Sequence, residues 1–303
     1  MNRKIFLITA LLAIPAAASQ AWDESGHLLI GEIAARKLRP EAVQKIESLL
    51  PLLDPRFNEG RPYNLVTAGL WLDDQRGRGK KANPWSRWHY IDVPCAGNSF
   101  VEPPPPHALW ALDQATDVLR SKNAEPKARA EALAQIIHIV GDIHQPMHTA
   151  TRNDRGGNDV PLAPLIPPNP GPSNLHAFWD AACRYDAKQG QITELCPRLR
   201  RFDSVDAPGI ATGETPAVPA SQHPWRQWAR ETHTIACENG WPKEAGNKSG
   251  PLQLTPAFVH ASHEIALQQA AKAGTRLAAL LNELLGDEPK TDRSPTPPAQ
   301  SAR

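Results

Sequence analysis

The stretch Ile137–His148 reads IHIVGDIHQPMH, placing three histidines and an aspartate on a segment that hydrophobic spacing makes a buried helix. Leu133, Ile136, Ile137, Val140, Ile143 and Met147 recur at i, i+3, i+4 and i+7, and Pro126 suits a first-turn position, so a helix is predicted over 126–149. His138 and Asp142 lie i and i+4 on one edge of its apolar stripe, where both side chains reach the same point. His144 falls roughly 200° around the helix from Asp142, on the stripe itself, and is expected to be a hydrogen-bonded core histidine. Pro146 cannot donate to the Asp142 carbonyl and its ring presses on that oxygen, so the helix should kink or end there and turn His148 back toward the pair. Burying a carboxylate among imidazoles is unfavourable unless their desolvation is offset, and a metal ion offsets it.

A second helical segment repeats the device. NLHAFWD at 174–180 sets His176 and Asp180 at i and i+4, and two such pairs point to a metal site more strongly than one. GLWLDDQR at 69–76 and RWHYIDV at 87–93 add Asp73 or Asp74, Arg76, His89 and Asp92. WDESGHLLIGEIA places His27 five residues after Trp22. A free amine at Trp22, with its own carbonyl, can chelate a metal.

That amine depends on processing. MNRKIFLITALLAIPAAASQA combines basic Arg3 and Lys4, an apolar run and small residues at Ser19 and Ala21, which predicts a cleaved signal peptide over 1–21. No later stretch approaches the ~20 apolar residues of a membrane span. The product should therefore be exported without an anchor, to the periplasm or the medium, and the style of the signal points to a Gram-negative bacterium. Lys and Arg (33) nearly balance Asp and Glu (32), which argues against a protein that wraps duplex DNA with a basic face. All four cysteines follow the signal, and in an oxidising compartment two disulfides are expected. Cys183 with Cys196 closes a short loop, leaving Cys95 with Cys237.

The remaining organisation is mainly α. Helical spacing marks 24–38, 40–50, 108–121, 126–149, 175–188, 222–237 and 256–285, and the clearest extended stretch runs from Trp88 to Val93. The proline-rich segments 102–107 and 161–172 read as loops, and 286–303 as a disordered tail. One domain over 22–285 is expected, and nothing demands more than a monomer.

Taken together, the mature Trp22, GH, WxD, HxID, HxxGDxxQPxH, GGN and NLHxxWD, in that order, resemble the zinc-dependent single-strand-specific nucleases of the S1/P1 family, as a bacterial member. The resemblance implies a helical nuclease/phospholipase C-like fold holding three Zn2+ ions. One would be bound by Asp73, His89, His138 and Asp142, a second by His148, His176 and Asp180, and a third by the amine and carbonyl of Trp22 with His27 and Asp142. It implies endonucleolytic hydrolysis of single-stranded DNA and RNA to 5′-phosphorylated products, and removal of 3′-phosphates from nucleotides. Asp73 would orient the attacking water, Arg76 would steady charge on the phosphate, Tyr90 would stack a base and Asp92 would hydrogen-bond its edge. Some fungal members carry a second base site just before the NLH motif; Gly171, Pro172 and Ser173 stand there in this chain, so that site is expected to be absent or rebuilt. Two rivals share some of these features: a zinc-dependent phospholipase C, whose last ligand pair resembles HxxxE rather than HxxxD, and a non-enzymatic exported zinc-binding protein.

Overall fold

A computed structural model describes residues 22–75, 84–97, 100–164, 171–184, 222–243, 245 and 250–286. Its helices start where sequence chemistry supplies a cap. The Asp23 carboxylate accepts from the Gly26 N–H to open α1 (Glu24–Ala35), and Pro40 occupies the first turn of α2 (Pro40–Leu49). A short α3 (Trp71–Asp74) follows a 3-10 turn over Thr67–Leu70. Then come α4 (Ala108–Arg120), α5 (Pro126–Asp142) and α6 (Leu175–Asp180), the last capped by the Asn174 side chain. Two longer helices, α7 (Trp225–Asn239) and α8 (Pro256–Leu285), complete the order.

Helix α5 is the centre of this arrangement. The expected buried helix forms, and its burial extends beyond the apolar stripe: every residue from Ala132 to Asp142 is buried, because other elements cover this part on all sides. The histidine and aspartate at its C-terminal end are therefore removed from water along with the apolar residues. Helix α1 crosses the long α8 at small residues. A Cβ added at Gly274 would come within 2.6 Å of Ile33, so only glycine admits that approach.

The predicted helix over 126–149 stops at Asp142. Gln145, the residue before Pro146, is extended (φ −82°, ψ 122°), as a residue preceding proline prefers. The Gln145 N–H bonds back to the Asp142 carbonyl at 2.9 Å in a tighter turn, and a 3-10 turn over Pro146–His148 follows. The extended stretch predicted from Trp88 contributes only β1 (Val93–Pro94), paired in parallel with β2 (Ala150–Thr151) in the register Val93↔Ala150. The predicted helix from 175 ends as α6 at Asp180, with a separate 3-10 turn at Ala182–Arg184.

Cys95 and Cys237 form the expected disulfide, joining the end of β1 to α7. The other predicted pairing finds no support. Cys183 is a free, buried thiol whose pKa burial pushes well above the usual range, and Cys196 lies outside the described residues. So do Arg76, the predicted signal over 1–21, part of the 161–172 loop and residues 287–303 of the predicted tail. Among the described residues no helix is long and apolar enough to cross a membrane.

Candidate metal centre

Helix α5 delivers His138 and Asp142, both fully buried. His138 Nε2 lies 3.0 Å from Asp142 Oδ2. His89, from the turn ahead of β1, brings its Nδ1 to 2.9 Å from His138 Nε2 and 3.1 Å from Asp142 Oδ2. Asp73, on α3, faces the same pair, with Oδ1 at 3.7 Å from His89 Nδ1 and 4.0 Å from His138 Nε2. Its neighbour Asp74 is not part of this group, since its carboxylate accepts from the Tyr63 hydroxyl at 2.8 Å. From α1, His27 stacks on His138 with ring centroids 4.1 Å apart and points Nε2 at Asp142 Oδ1, 3.3 Å away.

A second pole lies beside the first. His148 Nε2 and His176 Nε2 are 3.2 Å apart, and Asp180 Oδ1 is 3.5 Å from the one and 3.7 Å from the other. The poles meet at His148, whose Nδ1 is 3.8 Å from Asp142 Oδ1. The main chain at Trp22 passes alongside, because the Asp23 N–H donates to the Asp180 carbonyl at 2.9 Å. Trp22 is itself fixed by its buried indole, which donates to the Gly141 carbonyl at 2.9 Å.

Backbone carbonyls decide how these imidazoles present themselves. His138 Nδ1 sits 2.6 Å from the Gly69 carbonyl, His148 Nδ1 2.6 Å from that of His89, and His176 Nδ1 2.7 Å from that of Gly156. A carbonyl only accepts, so each Nδ1 carries a proton and each Nε2 turns a lone pair toward the cluster. Two such lone pairs 3.2 Å apart, at His148 and His176, repel unless a cation lies between them. His27 Nε2 and Asp142 Oδ1 are likewise buried without an aligned hydrogen bond, where buried polar atoms are normally paired. Neutral imidazoles and carboxylates without thiolate are a zinc-type donor set. Among the described residues three groups could hold an ion, His27/Asp73/His138, His89/His138/Asp142 and His148/His176/Asp180, with the donor atoms of each within 4.8 Å of one another. A further group, Cys95/His233/Cys237, has its sulfurs closed in the disulfide.

Electrostatics separates the poles. Burial pushes the Asp142 carboxyl up, but His138, His148 and His27 outweigh it and hold the group well below the usual carboxylate range. At Asp180 burial prevails over His176 and Gln145, and the carboxyl is pushed well above that range. Burial also lowers His27 and His176, whereas at His138 the Asp142 and Asp73 carboxylates overcome burial and raise it.

Sequence reasoning named the donors but not the groups behind them. Gln145 donates Nε2–H to Asp180 Oδ1 at 2.6 Å; its only sequence signal is its place within the HQPMH run. Gly156 is held at φ +60°, and a Cβ there would lie 2.4 Å from the Met147 carbonyl, so glycine is required where the loop turns to clamp His176. His144 behaves as expected of a core residue. Its Nδ1 donates to the Val140 carbonyl at 2.7 Å, and its Nε2 accepts from the buried Arg276 at 3.0 Å. Tyr90 and Asp92 are half-buried next to His89 and β1; burial pushes the Asp92 carboxyl above its ordinary range, outweighing the opposing pull of the nearby His148.

Comparison with known proteins gives this geometry a setting. The family model for S1/P1 Nuclease matches residues 22–286. The chain is 26% identical to Endonuclease 1 of Arabidopsis thaliana over 95% of its own length and 94% of that protein's. It is 23% identical to Nuclease P1 of Penicillium citrinum over 88% and 99%, and 22% identical to Nuclease S1 of Aspergillus oryzae over 95% and 100%.

Proposed function

We propose that this chain, which belongs to the S1/P1 nuclease family, is an exported zinc enzyme that cuts single-stranded DNA and RNA internally. Its general class, a phosphoester-hydrolysing endonuclease, follows from kinship with the named nucleases. The finer reading adds 5′-phosphorylated products, removal of 3′-phosphates from nucleotides, cleavage of a signal over 1–21 and action as a monomer without a membrane anchor. What supports it most is the set of Nε2 lone pairs, held by the Gly69, His89 and Gly156 carbonyls, that converge on two buried carboxylates.

In this reading three zinc ions are held, one by Asp73, His89, His138 and Asp142, one by His148, His176 and Asp180, and one by His27, Asp142 and the Trp22 amine and carbonyl; the buried groups that bring these imidazoles and carboxylates together support it. When bound, such ions supply Lewis acidity toward a phosphoester and lower the pKa of water. Asp73, whose side chain keeps 17% exposure where the other donors are almost fully enclosed, accepts a hydrogen bond from the attacking water and orients it. Arg76, three residues on, balances charge as it grows on the phosphate. Tyr90 stacks a base and Asp92 hydrogen-bonds its edge, which selects single strands because a paired base cannot splay into that position.

The reading is tested by zinc analysis of the processed protein, together with assays on single-stranded DNA, RNA, 3′-AMP and a choline phospholipid before and after chelation. Three zincs per chain with chelator-sensitive cleavage of the nucleic acids and 3′-AMP is expected. Cleavage of the phospholipid with nucleic acid intact would overturn it in favour of a phospholipase, and zinc without any hydrolysis in favour of a binding protein.

A further inference from the structure

Trp71, Trp85, Trp88 and Trp110 form a continuous row, with successive ring centroids 5.6, 6.2 and 5.8 Å apart. The row neighbours the candidate donors along the chain. Trp71 is buried on α3 two residues before Asp73, and the turn holding Trp85 and Trp88 leads straight into His89. Helix α4, which carries Trp110, docks the Ala108 N–H on the Tyr90 carbonyl at 3.0 Å.

Trp71 is fully buried, whereas the other three pack against the core with only part of each ring. Trp85, Trp88 and Trp110 are each only half-buried, so large apolar rings meet water beside the cluster, where leaving such area exposed is unfavourable. Successive planes are tilted by 40°, 55° and 76°, so the rings fan out rather than cover one another face to face. Arg87 is exposed in the same turn, and its charge acts on Asp92.

Resting on the nuclease reading above, we infer that Trp85, Trp88 and Trp110 form a stacking subsite for single-stranded nucleic acid, holding bases that flank the scissile phosphodiester beyond the one at Tyr90. Every base has a π-face, so such a platform tolerates any sequence, and Arg87 contributes a phosphate contact. The subsite lengthens the stretch of strand that the enzyme grips and makes long chains better substrates than short ones.

The test compares kcat/KM for a long single-stranded oligonucleotide with that for a dinucleoside monophosphate, in the zinc-loaded protein and in its Trp88→Leu and Trp110→Leu variants. The long-to-short ratio is expected to fall about tenfold per ring removed, since one stacked base contributes ~1–3 kcal/mol, and Trp88→Phe should restore most of it. Equal losses on both substrates would assign the rings a packing role and overturn the inference, as would an unchanged ratio. Should the leucine variants fail to fold, Arg87→Ser, a change at an exposed side chain, reports in their place: binding of the long strand should lose about one unit of salt slope, and an unaltered slope counts against the subsite. A wild-type protein that cleaves neither substrate would overturn the nuclease reading and this inference together, whereas cleavage of both with the ratio intact in every variant overturns this inference alone.

Discussion

Asp142 and Asp180 are alike in sequence, each four residues after a histidine on a buried helix, yet they settle at opposite ends of the carboxylate range. Burial raises both. At Asp142 the surrounding imidazoles prevail, while at Asp180 they do not, and the nearby Asp142 and Asp23 carboxylates add to its burden. The lesson is that an i, i+4 His–Asp pair does not fix the charge of its carboxylate; the number of cationic or donor partners brought by other elements does.

The largest test of this contrast removes the crowded carboxylate. Asp142→Ala should strip ligation from two ions and reduce nuclease activity at least ~10³-fold, read as zinc content and as rate on single-stranded DNA. Asp180→Asn should empty only its own pole, with a smaller loss of rate. Its effect on the metal-free fold should have the opposite sign to that of Asp142→Asn. A carboxyl held below its unfolded pKa of about 4 contributes stability above that pKa and loses it as pH falls, whereas one pushed above destabilises the fold at neutral pH and is relieved on acidification. Metal-free Asp180→Asn should therefore melt about 2–4 °C above metal-free wild type at neutral pH, and metal-free Asp142→Asn below it. Calorimetry of the chelated proteins decides this, and equal shifts would erase the contrast.

Gln145→Leu should weaken zinc at the Asp180 pole by about 10–100-fold, the usual effect of losing a group that orients a ligand, and leave the Asp142 pole unchanged in a chelator competition. Titration to lower pH sharpens the contrast further. Ligands must be deprotonated to bind, and the raised Asp180 takes up its proton before the depressed Asp142, so zinc analysis across the titration should show the Asp180 pole empty first. The mildest change is His144→Ala. It should keep its zinc but lose about 1–3 kcal/mol of stability, because the buried Arg276 Nη1 loses its acceptor and the Val140 carbonyl its donor, measured by denaturant unfolding.

Whereas the choice of Asp73 over Asp74 came from the family resemblance, the pairs His138/Asp142 and His176/Asp180, which the structure brings into two clusters, were legible because i, i+4 spacing and a proline four residues after Asp142 carry information. Helix starts were legible for the same reason, since Asp23, Asn174 and the first-turn prolines Pro40 and Pro126 act locally. The carbonyls of Gly69, His89 and Gly156 were not legible, because a backbone acceptor has the same chemistry at every position and only tertiary structure says which one faces an imidazole. That the C-terminal part of α5, Ala132–Asp142, is covered on every side was not legible, because the apolar stripe marks one buried face and only tertiary structure supplies the neighbours on the others. The pairing of Cys183 with Cys196 rested on a short separation along the chain, which says nothing about the burial that encloses the Cys183 thiol.

The crossing of α1 and α8 at Gly274 ties together the two ends of the described chain. His27 rides on α1, and α1 is held by a helix that closes the described sequence, so a nascent or C-terminally truncated polypeptide carries most of its donors without the scaffold that keeps His27 against Asp142. Bringing His27 to the rest of the donor set is thereby linked to the docking of the last described helix.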